Sequence, residues 1–384
     1  MRIMSVLVTA VVLSLAAIVI YGSIITIKGV WEQSIEIEEF TDAKDGSLGR
    51  FVSESLNLNV RKAQEIHRQA DAQAISIGRT LNIPFLRHES RVLQEIEDLD
   101  IKIREVPINV FIKALRTVQK PAYSVRGKVL TSNSTLSAGV QLIEGSNPQD
   151  SILVSLLRTR DDDADAEKLA TEITYKVLYE LQKRFKGKQT MTASNWQSLE
   201  LYTQALKDLQ DYRSVTRYGL SSDVQKPQDY LDSAIGKLKQ VVNVDPNYTA
   251  ALYYLGVAYF ESRGKEDEAI KCFEELLLRK PEPSFSLEAR FYLGYSHFRK
   301  YTEDGYEKAS KEYELLRDTL LFRLQSPLPR DERVKTHGLL AETYCQLANV
   351  FAHRLASLRP RDRTPAEVQA RKPKADSYRR DASQ

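Results

Sequence analysis

Length, composition and charge exclude several classes of protein before any motif is considered. The chain has 384 residues, more than one compact domain usually occupies, and its 42% of hydrophobic residues can build ordinary cores. The net charge is only +3, and acidic and basic residues are interspersed, which argues against a nucleic-acid-binding protein. Cys272 and Cys345 are too few for a disulfide scaffold, and both are predicted to be small buried side chains of helices.

The amino-terminal segment predicts a membrane anchor. Residues 3–27 contain no charged side chain, and these 25 residues are long enough, as a helix, to cross a hydrocarbon core of about 30 Å. Lys28 closes the run, and Trp31 lies where an interfacial aromatic residue would anchor. A cleaved signal peptide is the alternative, but the run is longer than a usual signal and lacks a small-x-small cleavage site before the next charge. We expect residues 1–30 to be a single-pass transmembrane helix in the lipid bilayer, with the bulk of the chain on the extracytoplasmic side.

Two segments of different composition follow the anchor. Residues 31–55 are polar and rich in turn-forming residues, which predicts a juxtamembrane linker. Over residues 56–188 the hydrophobic period changes repeatedly, from a helix ending near Leu81 to strands and then to a long helix. Within this stretch, "PINVFIKALRTV" predicts a helix with Pro107 at its start, and "AYSVRGKVL", "LSAGVQLIEG" and "SILVSLLRT" predict three strands. The segment is therefore predicted to be a small α+β domain with a preceding helix.

An acidic run lies just before the long helix of this domain. It could supply oxygen ligands to a hard cation, but aspartates at a helix start also satisfy free backbone N–H groups and interact favourably with the helix dipole. The run also lacks the glycine and the closing glutamate of a calcium loop, so helix capping is the favoured interpretation. Its residues are Asp161, Asp162, Asp163 and Asp165.

The stretch from residue 245 to residue 281 has the spacing of two packed helices. Small residues at Gly256 and Ala269 allow two antiparallel helices to approach, and Pro281 ends the second helix. Larger residues fill the seam between them: Leu252, Leu255, Tyr259 and Phe273. The same scheme recurs upstream at Ala234, Leu238 and Pro246, and downstream at Leu293, Gly294, Ala309 and Tyr313. A last helix offers Leu340, Ala341 and Tyr344.

This pattern resembles the tetratricopeptide repeat over residues 195 to about 355. Its loops are longer than those of the family's usual repeat of about 34 residues. The resemblance implies a mainly α fold with an α-solenoid over residues 190–356 that binds a protein or peptide along the first helix of each pair. The groove positions that carry over are Tyr253, Val257, Phe260, Phe291, Tyr295, Phe298 and Arg299.

The residue types at the groove positions indicate the kind of partner. The family's clamp for a terminal carboxylate uses basic and amide side chains at such positions, whereas this sequence has mainly aromatic ones. The resemblance therefore implies an apolar or aromatic-bearing partner segment, with Arg299 orienting an acidic group. The alternative is that these aromatic residues pack within the array or against the α+β domain.

The order of the domains carries a second resemblance. The strand-turn-strand stretch "YSVRGKVLTSNSTLSAGVQLIEG", followed by a long helix and then by the repeats, resembles bacterial proteins that join a TolB amino-terminal-like domain to tetratricopeptide repeats. This resemblance implies a bacterial envelope or signalling protein and supplies no catalytic residue.

No motif of a catalytic, cofactor-binding or metal site is found. A phosphate loop, a dinucleotide glycine pattern, a nucleophile elbow and paired histidines at zinc spacing are all missing from the sequence. We therefore expect a membrane-tethered, non-enzymatic protein-binding scaffold or adaptor without a cofactor. The alternatives are a sensor or regulatory subunit whose α+β domain binds a small ligand, and an unrecognised enzyme.

The carboxyl-terminal residues 357–384 form a basic tail. The last 26 residues carry eight Arg or Lys side chains against four Asp or Glu side chains. Beyond Leu358 they contain almost no apolar residue apart from Val368 and Tyr378. Because such a composition does not offset the entropy of ordering, the tail is predicted to be disordered.

Overall fold

The computed structural model of the chain divides into two compact units. Unit 1 contains residues 1–62 and 82–185, and unit 2 contains residues 63–81 and 186–384. The structure describes residues 34–42, 47–73, 85–86, 102–103, 106–107, 123–132, 134–144, 147–157, 162–184, 193–218, 226–279, 283–357, 377–378 and 381.

Unit 1 is built on a six-stranded sheet. Its strand order is β3-β1-β6-β7-β8, and β2 also pairs with β6. Strands β6, β7 and β8 pair antiparallel, whereas β1 pairs parallel with both β3 and β6. A separate antiparallel pair is formed by β4 and β5. The strands are β1 (Ser34–Ile37), β2 (Thr41–Asp42), β3 (Phe85–Leu86), β4 (Lys102–Ile103), β5 (Val106–Pro107), β6 (Tyr123–Thr131), β7 (Thr135–Glu144) and β8 (Asn147–Leu157).

Alternation of side chains along the strands gives the sheet one buried and one exposed face. Val125, Val140 and Val154 are fully or almost fully buried, while Arg126 and Gln141 on the opposite face are exposed. The helix α2 (Asp162–Arg184) packs against β7 and β8. This helix begins at Asp162, the second residue of the acidic run.

Residues 34–42, predicted as part of a linker, instead belong to this sheet. Ile35 and Phe40 are each only 1% exposed, and β1 and β2 both pair parallel with β6. Phe40 lies against Gly127 of β6, where an added Cβ atom would come within 2.2 Å of the phenyl ring. The polar composition of this segment concealed the strands because only a few apolar residues enter the core.

Pro107, predicted to begin a helix, instead lies in a strand. Pro107 is the last residue of β5, and it pairs with Lys102 of β4. Proline tolerates the end of a short strand as well as the first turn of a helix, so its presence alone does not distinguish the two. Residues 108–118 of that predicted helix lie outside the described residues.

Unit 2 is a stack of antiparallel helices, and the described residues are mainly helical, as predicted. The end of helix α1 (Ser47–Gln73) belongs to this unit. The pairs are α3 with α4, α5 with α6 and α7 with α8, and α9 packs on α8. The first helices α3, α5, α7 and α9 also contact one another in that order. The helices are α3 (Trp196–Tyr218), α4 (Pro227–Val244), α5 (Thr249–Glu261), α6 (Glu266–Leu278), α7 (Pro283–Phe298), α8 (Glu303–Leu324) and α9 (Arg330–Ser357).

The two ends of the chain are described only in part. Within the described residues, none of the helices combines the length and the apolar character that a membrane crossing requires. The predicted anchor, residues 1–30, lies outside those residues. Most of the predicted disordered tail lies outside them too, but Tyr378 is described and is only 7% exposed.

Candidate protein-binding surface

The glycines of the repeat mark the closest approach of paired helices. A Cβ atom added to Gly256 of α5 would lie 2.7 Å from the ring of Phe273 of α6. The next pair has the same arrangement, because a Cβ atom on Gly294 of α7 would lie 2.9 Å from the ring of Tyr313 of α8. Both rings are fully buried. Each pair therefore needs a residue without a side chain on its first helix to admit an aromatic ring from its second helix.

The remaining repeat positions lie around these two contacts. Ala269 and Ala309 are fully buried and allow close packing of α6 and α8. In the upstream pair, Ala234 and Leu238 of α4 are also fully buried. Buried as well are Leu252, Leu255, Tyr259 and Leu293. Pro246 lies in the turn between α4 and α5, whereas Pro281 lies outside the described residues.

A tyrosine–carboxylate contact joins neighbouring first helices. The Tyr253 hydroxyl donates a hydrogen bond of 2.6 Å to Glu288 Oε2 of α7. Tyr253 and Glu288 are 2% and 1% exposed, respectively. Desolvation by burial, and then the neighbouring Glu288, raise the pKa of Tyr253 well above its usual value, so the hydroxyl stays a donor. This contact fixes the register of α5 against α7.

Four of the seven groove positions lie in the interior of unit 2. Tyr253, Val257, Phe291 and Phe298 are all at most 7% exposed. Their rings pack on other aromatic rings of the same unit: Tyr253 on Phe285 and Phe291 on Tyr313, for example. For these four positions the structure favours packing within the array over an open groove.

The other three groove positions are partly exposed and lie together. Phe260 of α5 and Tyr295 of α7 have ring centroids 5.1 Å apart. The Arg299 guanidinium lies over the Phe260 ring, 4.8 Å from its centroid, and donates to the Phe260 carbonyl oxygen. We call Phe260, Tyr295 and Arg299 the first-helix patch.

Arg299 already has an acidic partner within the chain. Its Nη2 atom lies 3.0 Å from Glu266 Oε1 at the start of α6. Both side chains are about one-fifth exposed, so water screens this pair less than it would a fully exposed one. The guanidinium is therefore held against Phe260 by the Glu266 carboxylate and the Phe260 carbonyl oxygen, and the predicted role of orienting an acidic partner group has no support from this arrangement.

Sequence reasoning missed an ion pair at the end of α5 nearest this patch. Arg213 Nη2 of α3 lies 2.6 Å from Glu261 Oε1, the residue after Phe260. The two side chains are 17% and 20% exposed. The position of Glu261 one residue beyond Phe260 could have indicated this acidic residue, but α3 has no glycine that would set the register of the pattern for Arg213.

Possible ligands for metals are scattered in the part of the chain that the structure describes. No group of three His, Cys, Asp or Glu side chains there could hold a metal ion. Cys272 is buried, as predicted, and burial raises the pKa of its thiol to about 12. Cys345, predicted to be buried, is exposed because it faces away from the stripe of α9 that carries Leu347 and Phe351.

Comparison with known proteins supports the assignment of the middle helix pair. Residues 250–282 match the family model of the tetratricopeptide repeat. This range spans helix α5, its turn and helix α6, and it contains the contact between Gly256 and Phe273. A search of curated proteins finds no match. The chain thus contains a tetratricopeptide repeat at residues 250–282 within a stack of helix pairs.

Proposed function

We propose that the chain is a membrane-tethered, non-enzymatic scaffold that binds a protein partner through its helical repeats. The tetratricopeptide repeat at residues 250–282 supports a role in protein–protein interaction. The observation that carries the proposal is the first-helix patch, where two partly exposed aromatic rings from successive first helices lie 5.1 Å apart. Aromatic residues and arginine dominate the energetics of many interfaces.

The rigidity of the first-helix patch suits it to binding. Phe260 and Tyr295 stand on helices that are joined by the buried contact of Tyr253 with Glu288. The guanidinium of Arg299 holds the Phe260 ring from one side. Because these side chains are held before a partner arrives, binding would order few additional rotamers. The partner that fits best is a segment with an apolar or aromatic side chain.

We expect substitutions in the patch to separate binding from stability. Tyr295→Ala should weaken partner capture by the full-length chain at least about tenfold, since loss of a central aromatic anchor commonly costs that much. Its melting temperature should fall less than that of a variant lacking a fully buried ring, because the Tyr295 side chain is only partly buried. Phe260→Ala should behave in the same way.

The matched controls are Tyr253→Ala and Phe291→Ala, which remove buried rings of the same two helices. Both should lower the melting temperature. Any weaker partner capture by these controls should result from their lower stability. If Tyr295→Ala and Phe260→Ala lower the melting temperature as much as the controls do, the patch is core and the proposal fails.

The membrane tether is proposed on the sequence of residues 3–27. Deleting residues 1–30 should move the protein from the membrane pellet to the soluble fraction, because no other apolar run of that length occurs in the sequence. The control is a deletion of residues 359–384, which tests whether the basic tail contributes to membrane binding. A polybasic segment can add about 1 kcal/mol per charge at an anionic surface. Sedimentation of the first deletion with membranes would contradict the proposal.

A depression on the exposed face of the sheet favours a second candidate function, binding of a small ligand by unit 1. Its volume is about 400 Å³, and it lies over Gly139, where an added Cβ atom would meet nothing within 4 Å. Lys128, Gln141 and Leu153 are among its lining residues, and Leu153 is 70% exposed. The layout that resembles a TolB amino-terminal-like domain followed by repeats is compatible with such a sensor. A ligand that raises the melting temperature of the wild type, but not of Gly139→Phe, would support this function over the scaffold alone.

A further inference from the structure

The last two helices of the stack, α8 and α9, carry a pocket that is filled by a residue farther along the chain. Tyr344 and Phe351 lie seven residues apart on α9 and therefore on one face of that helix. Arg317 of the neighbouring helix α8 lies beside them. We call these three side chains the tyrosine pocket.

Tyr378 occupies this pocket with three separate contacts. Its ring stacks on Phe351, with centroids 5.6 Å apart and an angle of 22° between the planes. The Tyr344 ring lies 6.0 Å away at 30°. The Arg317 guanidinium lies 5.9 Å from the Tyr378 centroid, and its Nη1 atom donates a 3.1 Å hydrogen bond to the Tyr378 hydroxyl oxygen.

These contacts select a tyrosine side chain by its two ends. Stacking requires a flat aromatic ring, and the cation beside it strengthens that preference. The hydrogen bond from Arg317 requires an oxygen at the far end of the ring, which phenylalanine lacks. Arg317 is itself oriented by Asp318, whose Oδ1 atom lies 2.7 Å from Arg317 Nη2. The pocket is therefore shaped for a phenol and not for an aliphatic side chain.

The surroundings of Tyr378 in the sequence resemble a ligand segment more than a core element. It is flanked by Ser377 and Arg379, and Tyr378 is the one aromatic residue among residues 359–384. Ser377 is only half-buried and Asp381 is exposed, whereas Tyr378 is 7% exposed. Of the described tail residues 377, 378 and 381, Tyr378 alone is buried.

We propose that Arg317, Tyr344 and Phe351 form a binding site for a tyrosine side chain presented by a polar segment, and that the chain's own Tyr378 is its intramolecular occupant. The site lies on α8 and α9 and does not depend on the first-helix patch. A covalently attached segment competes at an effective concentration on the order of millimolar. Removing Tyr378 should therefore open the site to a peptide in trans.

The test uses the full-length Tyr378→Ala chain and a fluorescent synthetic peptide with the sequence of residues 372–384. Fluorescence anisotropy should show saturable binding to this variant and at least about tenfold weaker binding to the wild-type chain, whose site is occupied. A peptide with Phe at position 378 should bind about tenfold more weakly, because it cannot accept the hydrogen bond from Arg317. A peptide with Ala at that position should not bind.

Two matched variants distinguish the specific contact of Arg317 from a general effect of losing a positive charge. Adding Arg317→Gln to Tyr378→Ala should weaken peptide binding about tenfold, while adding Arg333→Gln, an exposed position of α9, should leave it unchanged. Equal binding of the Tyr and Ala peptides, or no saturable binding to Tyr378→Ala, would overturn the proposal. A wild-type chain that sediments as a dimer, which Tyr378→Ala does not form, would show that the occupant comes from a second copy and would equally overturn it.

Discussion

Gly256→Leu should lower the stability of unit 2 by about 3 kcal/mol, at the upper end of the usual cost of overpacking a core. The first added atom alone would come within 2.7 Å of the Phe273 ring, which has no exposed surface and cannot swing into solvent. Helix α5 would have to move away from α6, and the contacts of α5 with α7 would be disturbed in turn. For a unit of this size we expect the melting temperature to fall by roughly 6–12 °C.

Gly236→Leu is the matched control for this substitution. Gly236 also lies within a helix, α4, but an added Cβ atom there would meet nothing within 4 Å. Leucine favours a helix over glycine by about 0.8 kcal/mol at both positions. The difference in stability between the two variants therefore isolates the clash with Phe273. Gly236→Leu should keep or slightly raise the melting temperature. Equal melting temperatures for the two variants would contradict the close packing of Gly256 against Phe273.

Acid should destabilise unit 2 through the buried His67 of α1. The His67 ring is 2% exposed and lies 5.5 Å from the Tyr202 ring. The Thr203 hydroxyl donates to the Leu199 carbonyl at 2.8 Å, so the 2.9 Å contact of His67 Nε2 with Thr203 Oγ1 requires that Nε2 carry the hydrogen. Desolvation by burial lowers the pKa of His67 from 6.5 to about 3, so the folded state holds the neutral ring.

The direction of the pH effect follows from this lowered pKa. Below about pH 6.5 the unfolded chain binds a proton at His67, while the folded chain does not until the pH approaches 3. The contribution to stability is fully present above pH 6.5 and falls by about 1.4 kcal/mol for each pH unit below it. Between pH 6.5 and pH 4.5 the loss should reach roughly 2–3 kcal/mol.

A comparison with His67→Gln isolates the histidine. The glutamine amide can donate to Thr203 but does not titrate, and all other titrating groups are common to the two proteins. Urea unfolding at several pH values should show that stability falls more steeply with decreasing pH for the wild type. Between pH 6.5 and pH 4.5 the difference in slope should correspond to about one additional proton bound on unfolding. Parallel pH profiles would show that His67 is protonated in the folded chain or is not buried there.

The parts of the fold that were predictable are those where a short-range pattern determines the packing. Phe273 follows Gly256 by 17 residues and Tyr313 follows Gly294 by 19, and these similar spacings predicted which helices pair. The strands β6, β7 and β8 were predictable for a similar reason, because side chains alternate between two faces over nine or more residues.

Features that depend on distant residues were not predictable. Ile35 and Phe40 belong to a sheet because of β6, which lies more than 80 residues later, and their own polar surroundings indicated a linker. The burial of Tyr253 depends on Glu288 of the following pair, and the burial of Tyr378 depends on a pocket on α8 and α9. Composition and periodicity do not identify contact partners that are distant in the sequence. Four of the seven groove positions predicted from the family resemblance are therefore buried in the interior, and the other three form the first-helix patch.

Site-specific photocrosslinking in living cells tests most directly whether the first-helix patch binds a protein partner. A photoreactive phenylalanine analogue would be placed in the full-length chain at Tyr295, in the patch, or at Leu278, which is 81% exposed at the end of the second helix α6. We expect a discrete protein adduct from position 295 and none from position 278. An adduct from position 278 alone, or the same adducts from both positions, would contradict binding by the first helices.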